Sequence, residues 1–509
     1  MPIKQLTTGW LTNMASDKIE IINRYFEENN FVQSNIESFD GFVDWRLQKL
    51  VDEIKEAVPA VIPPEAEEVK FVFGNVRVEK PSIVEADGAK RNIAPTEARM
   101  RDLTYAATVY LEVSLLIDGK ERERQEVKIL DLPIMLKSKY CYLHGLSREE
   151  LINIGEDPYD SGGYFIINGT ERALVLLEDL ASNQIFVDSE ESGPITHIAR
   201  VFSASTLYKI PHLVERGKDG IFLISFASNK KIPATVMFKS LGYTKDSDIP
   251  GLIGTDDEDV MINIINGSDI KTQEEAQEVI AKEMAMLIPR EQKLQKVQYI
   301  LDNLFLPHIS MKPQDRARKA VFLGRMIKKL LLLKQGKIQP DDKDHYMNKR
   351  VRMAGDLLED LFRANLKVLV GDMLYIFQRG VRRGKILTIP SIVRMKLPTQ
   401  RIKSALATGN WTGNRQGVSQ RLDRENALAT LSHLQRVSSL LEATRESFEA
   451  RQLHPTHWGR LCPLESPEGK QIGLRKNLAL LATITPELKE EMVTDNFQTL
   501  QHLGLRRIE

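Results

Sequence analysis

Apolar residues recur at helical spacing through residues 16–58, at Ile19, Ile22, Tyr25 and Phe26 and again at Phe42, Trp45, Leu47 and Leu50, which predicts helix there. Pro63-Pro64 ends that pattern. From Val69 the period drops toward two, in Val69-Lys70-Phe71-Val72-Phe73 and in residues 106–117, the alternation of half-buried strands. Asp118-Gly119 predicts a hairpin from 106–117 into 125–130, and Asn168-Gly169 a second between 164–167 and 172–175. Asn, Asp and Gly supply the positive φ values of a type I′ turn. Further strands are expected at 221–224 and 234–238. Helices are expected at 272–287, capped by Thr272 with Glu274-Glu275 in the first turn, and at 291–304, 313–335 and 352–379. In the last of these Leu357, Leu358, Leu361, Phe362, Leu366 and Leu369 form a broad apolar face. Residues 424–442 also read as a helix, with Leu428, Leu431, Leu434 and Leu441 apolar and His433 and Arg436 on one face. No internal repeat is present, which excludes a solenoid.

The 509 residues suit about three domains, and 42% apolar with 28% charged residues suits a core-forming protein. Seventy basic side chains balance seventy acidic ones, which argues against gripping a polyanion through bulk charge. The distribution changes that inference. Residues 361–480 hold 20 basic and 8 acidic side chains, a surplus of 12, so the remaining residues carry the opposite excess. The acid concentrates around 51–70 and in Asp256-Asp257-Glu258-Asp259, the latter expected as a solvated loop. A basic stretch in a neutral chain can meet a polyanion while the rest faces other protein. Two cysteines, Cys141 and Cys462, exclude a disulfide framework and suit a reducing compartment. No apolar run approaches the roughly 20 residues that cross a bilayer, and the N-terminus lacks a signal-peptide pattern. The expectation is a cytoplasmic chain without a membrane partner.

No phosphate-binding glycine loop, zinc-protease or nucleophile-elbow motif occurs. Asp341-Asp342-Lys343-Asp344-His345 has the hard oxygen ligands of a Mg²⁺ site, but equally those of a hydrogen-bonded connection in which Lys343 offsets charge, and the structural reading is preferred. His454, His457 and Cys462 could ligate zinc; with Pro455 between them and no fourth ligand, a hydrogen-bonding role is favoured. The densest chemistry lies at 405–480. Turn-rich Gly409-Asn410-Trp411-Thr412-Gly413-Asn414 precedes Gly417-Val418-Ser419-Gln420-Arg421-Leu422-Asp423-Arg424, whose amide and guanidinium donors suit phosphate and sugar oxygens.

The segment His454-Pro455-Thr456-His457-Trp458-Gly459-Arg460-Leu461-Cys462-Pro463-Leu464-Glu465-Ser466-Pro467-Glu468-Gly469, followed by Ile472-Gly473-Leu474 and Lys476-Asn477-Leu478-Ala479, closely resembles the signature of the second-largest subunit of multisubunit RNA polymerases. Pro158-Tyr159-Asp160 with Gly162-Gly163-Tyr164-Phe165-Ile166-Ile167-Asn168-Gly169, then Asp341 to His345, then Gly417 to Arg424 follow the family's order. The resemblance covers nearly the whole chain and is nearer the archaeal and eukaryotic branch. That subunit is longer, with zinc-binding and nucleotide-contacting elements in its C-terminal half; in some archaea it is encoded as two polypeptides, and this chain is similar to the N-terminal one.

The resemblance implies an α+β multidomain fold. Residues 1–186 and 351–405 would form the protrusion, 187–350 the inserted lobe, 406–484 the fork, and 485–509 the start of an external region completed by another chain. It implies ribonucleotide polymerisation by two-Mg²⁺ phosphoryl transfer, with the aspartate triad on the largest subunit and zinc in other polymerase chains. This chain would bind no cofactor alone and supply no catalytic residue; it would wall the active-centre cleft. Gln420, Asp423, His433 and Arg436 match positions lining the DNA–RNA hybrid, with Arg421 and Arg424 adding charge. Residues 437–452 match a loop facing downstream DNA, where Arg445 and Arg451 are candidates and Glu442, Glu446 and Glu449 weigh against simple phosphate binding. His454, Thr456, His457, Glu465, Glu468, Lys470 and Arg475 would brace the cleft floor. Implied partners are the C-terminal half of the same subunit, the largest-subunit halves, other core subunits, template DNA and nascent RNA. Two rivals are a stand-alone metal-dependent hydrolase using Asp341 to His345, and an assembly scaffold whose basic face binds protein.

Overall fold

The computed structural model describes residues 18–21, 24–26, 29–190, 193–205, 209–227, 230–255, 257–285, 289–385, 387–439, 441, 448–485, 487 and 490–505. The chain is α+β and divides into two units, Met1–Asp179 with Val351–Glu509, and Leu180–Arg350.

The first unit is built on an antiparallel sheet ordered Glu56–Ala57, Val69–Val78, Ala106–Ile117, Lys120–Pro133. Alternation decides its faces: Ala107, Val109, Leu111, Val113 and Leu115 are buried while their neighbours are less so. Asp118 and Gly119 both take positive φ, 52° and 74°, as do Asn168 and Gly169 at 48° and 71°, so both expected hairpins form. Against this sheet packs Ala354–Val381, a helix of 28 residues whose leucine face meets the core. Phe377 stacks edge-on to Phe71 at 5.1 Å between ring centroids. Its first turn closes on the helix Gln33–Gly41, where Ala354 N donates to Asn35 Oδ1 at 2.9 Å. A Cβ at Gly355 would lie 2.0 Å from Ser38 O, so only glycine permits that approach. Arg46, 2% exposed, reaches the same turn through Asp356 at 2.5 Å.

The second unit has its own core between an antiparallel five-stranded sheet, Phe186–Ser189 through Ile232–Pro233 in sequence order, and helices that include Arg316–Lys334. The helix Gln273–Glu283 begins at Thr272 in a reciprocal cap with Glu275. Residues 234–238, expected as a strand, belong instead to the helix Ala234–Ser240. Every one of its residues is buried, so the run shows no polar face from which a period could be read. Asp259 is not solvated: it is 4% exposed and pairs with Arg216 and Lys334 at 2.7 and 2.6 Å, while Asp257 caps the helix Glu258–Asn266.

In the Asp341 to His345 segment each carboxylate has its own structural task. Asp341 Oδ2 accepts from Val187 N and Lys329 Nζ, both at 2.7 Å. Asp342 Oδ1 accepts from Asp344 N, Asp344 pairs with Lys349 at 2.9 Å, and Lys343 pairs with Asp188. Among the described residues no three metal-ligating side chains gather, and the hydrolase reading gains no support. No helix among them is long and apolar enough to cross a membrane.

Candidate nucleic-acid interface

The helix Lys396–Thr408 ends at Gly409, whose φ of 80° turns the chain beneath the strand that follows; a Cβ there would meet Ser419 O at 2.5 Å. Trp411 anchors the loop by donating from Nε1 to Leu357 O at 2.9 Å. The strand Ser419–Arg421 then pairs antiparallel with Thr170–Leu174. Asn426 caps the next helix by accepting from Ala429 N at 2.8 Å.

That helix is shorter than expected, Ala427–Leu434, and Arg436–Ser439 is a strand. His433 and Arg436 therefore do not share a helical face. Val437 is β-branched, Ser438 and Ser439 are weak helix formers, and two partners are present: Leu176–Leu180 runs parallel on one side, Arg475–Asn477 antiparallel on the other. Tertiary pairing overrides the leucine spacing. The register puts Val437, Ser439, Glu178 and Lys476 on one face, where Lys476 Nζ donates to Glu178 at 2.9 and 3.2 Å in a buried ion pair. Arg436, Ser438 and Arg475 take the other face.

On that other face Gln420, His433 and Arg436 meet after all. His433 Nδ1 accepts from Asp423 N at 3.1 Å, which leaves Nε2–H to donate to Gln420 Oε1 at 3.2 Å. The same oxygen lies 3.5 Å from Arg436 Nη1, and Gln420 Nε2 donates to Gly417 O at 3.0 Å. Burial, then the Arg436 charge, pulls His433 down to about 4, so at neutral pH it is an uncharged spacer. Burial and the neighbouring Arg475 also lower Arg436, with Asp423 and Glu465 opposing. Among the described residues no carboxylate forms an ion pair with Arg436 or Arg475. Two guanidiniums on one strand pair beside a neutral imidazole carry donors of the kind that suit an anion.

The remaining expected residues divide. Arg421 is exposed. Arg424 is not an available cation: it donates to Glu171 at 2.7 Å and Asp160 at 2.8 Å and lies over the Tyr164 ring at 5.0 Å. Tyr164 Oη donates in turn to Asp160, and Arg99 joins Glu171, Glu156 and Tyr164. Arg424 thus knits residues 158–174 to 417–424. Arg451 is also committed, donating to the carbonyls of Lys470 and Ile472 at 2.8 and 3.1 Å, where Gly473 passes so closely that a Cβ would lie 2.1 Å from Arg451 O. Arg445, Glu442 and Glu446 lie outside the described residues, and Glu449 is exposed. His454 Nδ1 bonds Thr456 Oγ1 at 2.7 Å, and His457 is buried within a short turn. Glu465 accepts from Ser432, tying the signature to the helix before the cluster. Glu468 and Lys470 are exposed, and the Lys470 carbonyl accepts from Arg451.

Sequence reasoning missed Ser432, Asn477, Glu178 and Lys476. Asn477 Nδ2 donates to Ser432 O at 3.0 Å, locking helix to strand. The alternation of Arg475-Lys476-Asn477 offered a period-two signal, but nothing local pointed to Glu178.

A family model described as RNA polymerase beta subunit matches residues 30–400, and one described as RNA polymerase Rpb2, domain 3, matches 420–484. The chain is 42% identical over 504 residues to DNA-directed RNA polymerase subunit Rpo2 of Saccharolobus shibatae, covering 98% of this chain but 44% of that relative. It is 42% identical to subunit Rpo2N of Methanocaldococcus jannaschii over 94% of this chain and 97% of the relative. With Rpo2N of Halobacterium salinarum it shares 38% identity over 97% of each. The chain thus spans less than half the length of the Rpo2 relative and nearly all of the Rpo2N relatives.

Proposed function

The chain belongs to the RNA polymerase beta-subunit family, and from that premise we propose that it is the N-terminal part of the second-largest subunit of a cytoplasmic DNA-dependent RNA polymerase. In this reading it walls the active-centre cleft, holds template and hybrid, and assembles with the remainder of its own subunit, the largest subunit and other core subunits. The observation that carries it is the pair of guanidiniums, Arg436 and Arg475, fixed on one strand face beside neutral His433 and Gln420, with no carboxylate ion-paired to them among the described residues. Sugar-phosphate backbone fits such a site without regard to sequence.

Each residue then has a task. Arg436 and Arg475 present charge to phosphates. His433, held as an acceptor by Asp423 N, directs its N–H to Gln420 and so fixes that amide. Arg424, with Glu171 and Asp160, positions the Gln420 strand. Glu465 and Arg451 hold the signature loop to the helix and turn beside it. Leu180–Arg350, a unit with its own core, supports reading 187–350 as the lobe; 1–186 with 351–405 is then the protrusion and 406–484 the fork. The family's catalytic Mg²⁺ ions do not fit here, because Asp341 and Asp344 already meet lysines and no triad gathers among the described residues. No chemical step is assigned to this chain, and zinc belongs to other polymerase chains.

Photo-crosslinking tests the reading. In reconstituted polymerase, a probe on transcript or template should label residues 419–439. Labelling there by protein neighbours alone would favour the scaffold reading instead.

A further inference from the structure

Residues 373–422 contain ten basic and no acidic side chains, and four of the ten crowd the C-terminal end of the long helix. Arg379, Arg382, Arg383 and Lys385 are all exposed, and among the described residues none has an ion-pair partner. Arg394, by contrast, is matched to Asp372. The four cations are presented by ordered backbone. Arg383 N donates to Gly380 O at 2.9 Å, Gly384 N to Val381 O at 2.9 Å and Lys385 N to Gly380 O at 3.0 Å, with Gly384 at a φ of 67°. A Cβ at Gly380 would sit 2.9 Å from Leu387, so the turn is packed against the helix. Tyr375, 60% exposed, stands one turn before Arg379 on the same face.

A helix C-terminus favours cations, but four like charges within seven residues repel one another unless something anionic meets them. The fork cluster cannot share this site. The loop before its strand is anchored at the other end of the same helix, through Trp411 to Leu357, and the strand itself bonds through Ser419 to Leu406 of the helix Lys396–Thr408. From Leu357 to Arg382 the helix rises about 38 Å. That is close to one turn of B-form DNA, ~34–36 Å.

We propose that Arg379, Arg382, Arg383 and Lys385 form a second nucleic-acid contact, for the phosphate backbone of duplex DNA, separate from the fork. The proposal rests on the reading that this chain meets nucleic acid. Duplex is favoured over an acidic protein because the patch is nearly all guanidinium and displays one aromatic rather than an apolar ring of the kind protein interfaces bury.

The test is binding of the full chain to a random-sequence duplex of about 30 base pairs across a salt series, with log affinity plotted against log salt concentration. Changing all four residues to Ala should flatten the slope by about 3 to 4, at about 0.9 per phosphate contact, so that the loss of affinity between about 50 and about 200 mM salt shrinks by about 10²-fold. A variant with the three arginines changed to Lys, folded to the same melting temperature, should keep the slope. An unchanged slope in the four-Ala variant overturns the proposal. So does an unchanged slope together with lost binding to polyglutamate, which would assign the patch to an acidic protein. Arg436→Ala in the same series separates the two readings: if it flattens the slope by about 1 while the four-Ala variant does not, the fork reading stands and this one falls.

Discussion

Replacing Lys476 by Met should loosen the strands that carry Arg436 and Arg475, the proposed anion site, without touching that face. Lys476 lies opposite Val437, and Glu178 lies opposite Ser439, so the pair reaches diagonally across the central strand and ties three strands together on their buried side. Both side chains are nearly inaccessible, at 9% and 4%. Removing the lysine takes the buried cation away from a buried carboxylate, which costs about 3–5 kcal/mol, whereas replacing both partners by apolar residues of similar size is often close to neutral. If the strands open locally, that cost reduces amide-exchange protection about 10²- to 5 × 10³-fold. Hydrogen exchange at Arg436–Ser439 and Arg475–Asn477 should register that loss in Lys476→Met, with recovery in the Glu178→Leu/Lys476→Met double variant. Equal protection in the single variant and the parent, or a double variant as damaged as the summed singles, would refute the reasoning.

Arg424→Ala should lower the melting temperature, through a loss of about 1 kcal/mol for partly exposed pairs with Glu171 and Asp160, and leave the salt slope of duplex binding unchanged. A reduced slope would return Arg424 to the set of phosphate contacts. In the second unit His212 stacks on Phe226, and burial holds it near 4, below its ordinary 6.5. The unfolded chain takes up the proton first, so that unit's stability is complete above about pH 6.5 and falls by about 3 kcal/mol as pH drops toward 4. Denaturant titrations from pH 7 to 4 should show this, and His212→Gln should flatten that window.

What could be read in the sequence was local. Asp118-Gly119 and Asn168-Gly169 carry their turns in their own backbone preferences, and the long helix carries its face in its leucine spacing. What could not be read depended on distant partners. Residues 436–439 are a strand because Leu176–Leu180 and Arg475–Asn477 flank them, and the helix Ala234–Ser240 hid its period by being buried all round. Arg424 read as an available cation because its carboxylates lie 253 and 264 residues earlier in the chain. His433 and Arg436 were drawn together for the wrong local reason, a continuous helix, and Gln420 joined them only through the family resemblance; a strand, a helix end and a second strand bring the three into contact.

The proposed anion site at Arg436 and Arg475 is tested most directly by the lifetime of elongation complexes in rising salt, measured with polymerase reconstituted around the Gln420→Ala/Arg436→Ala chain. Loss of the Arg436 charge and its amide support should shorten that lifetime at low salt and flatten its decline as salt rises, because one fewer phosphate is neutralised. A lifetime equal to that of the parent at every salt concentration would contradict the account.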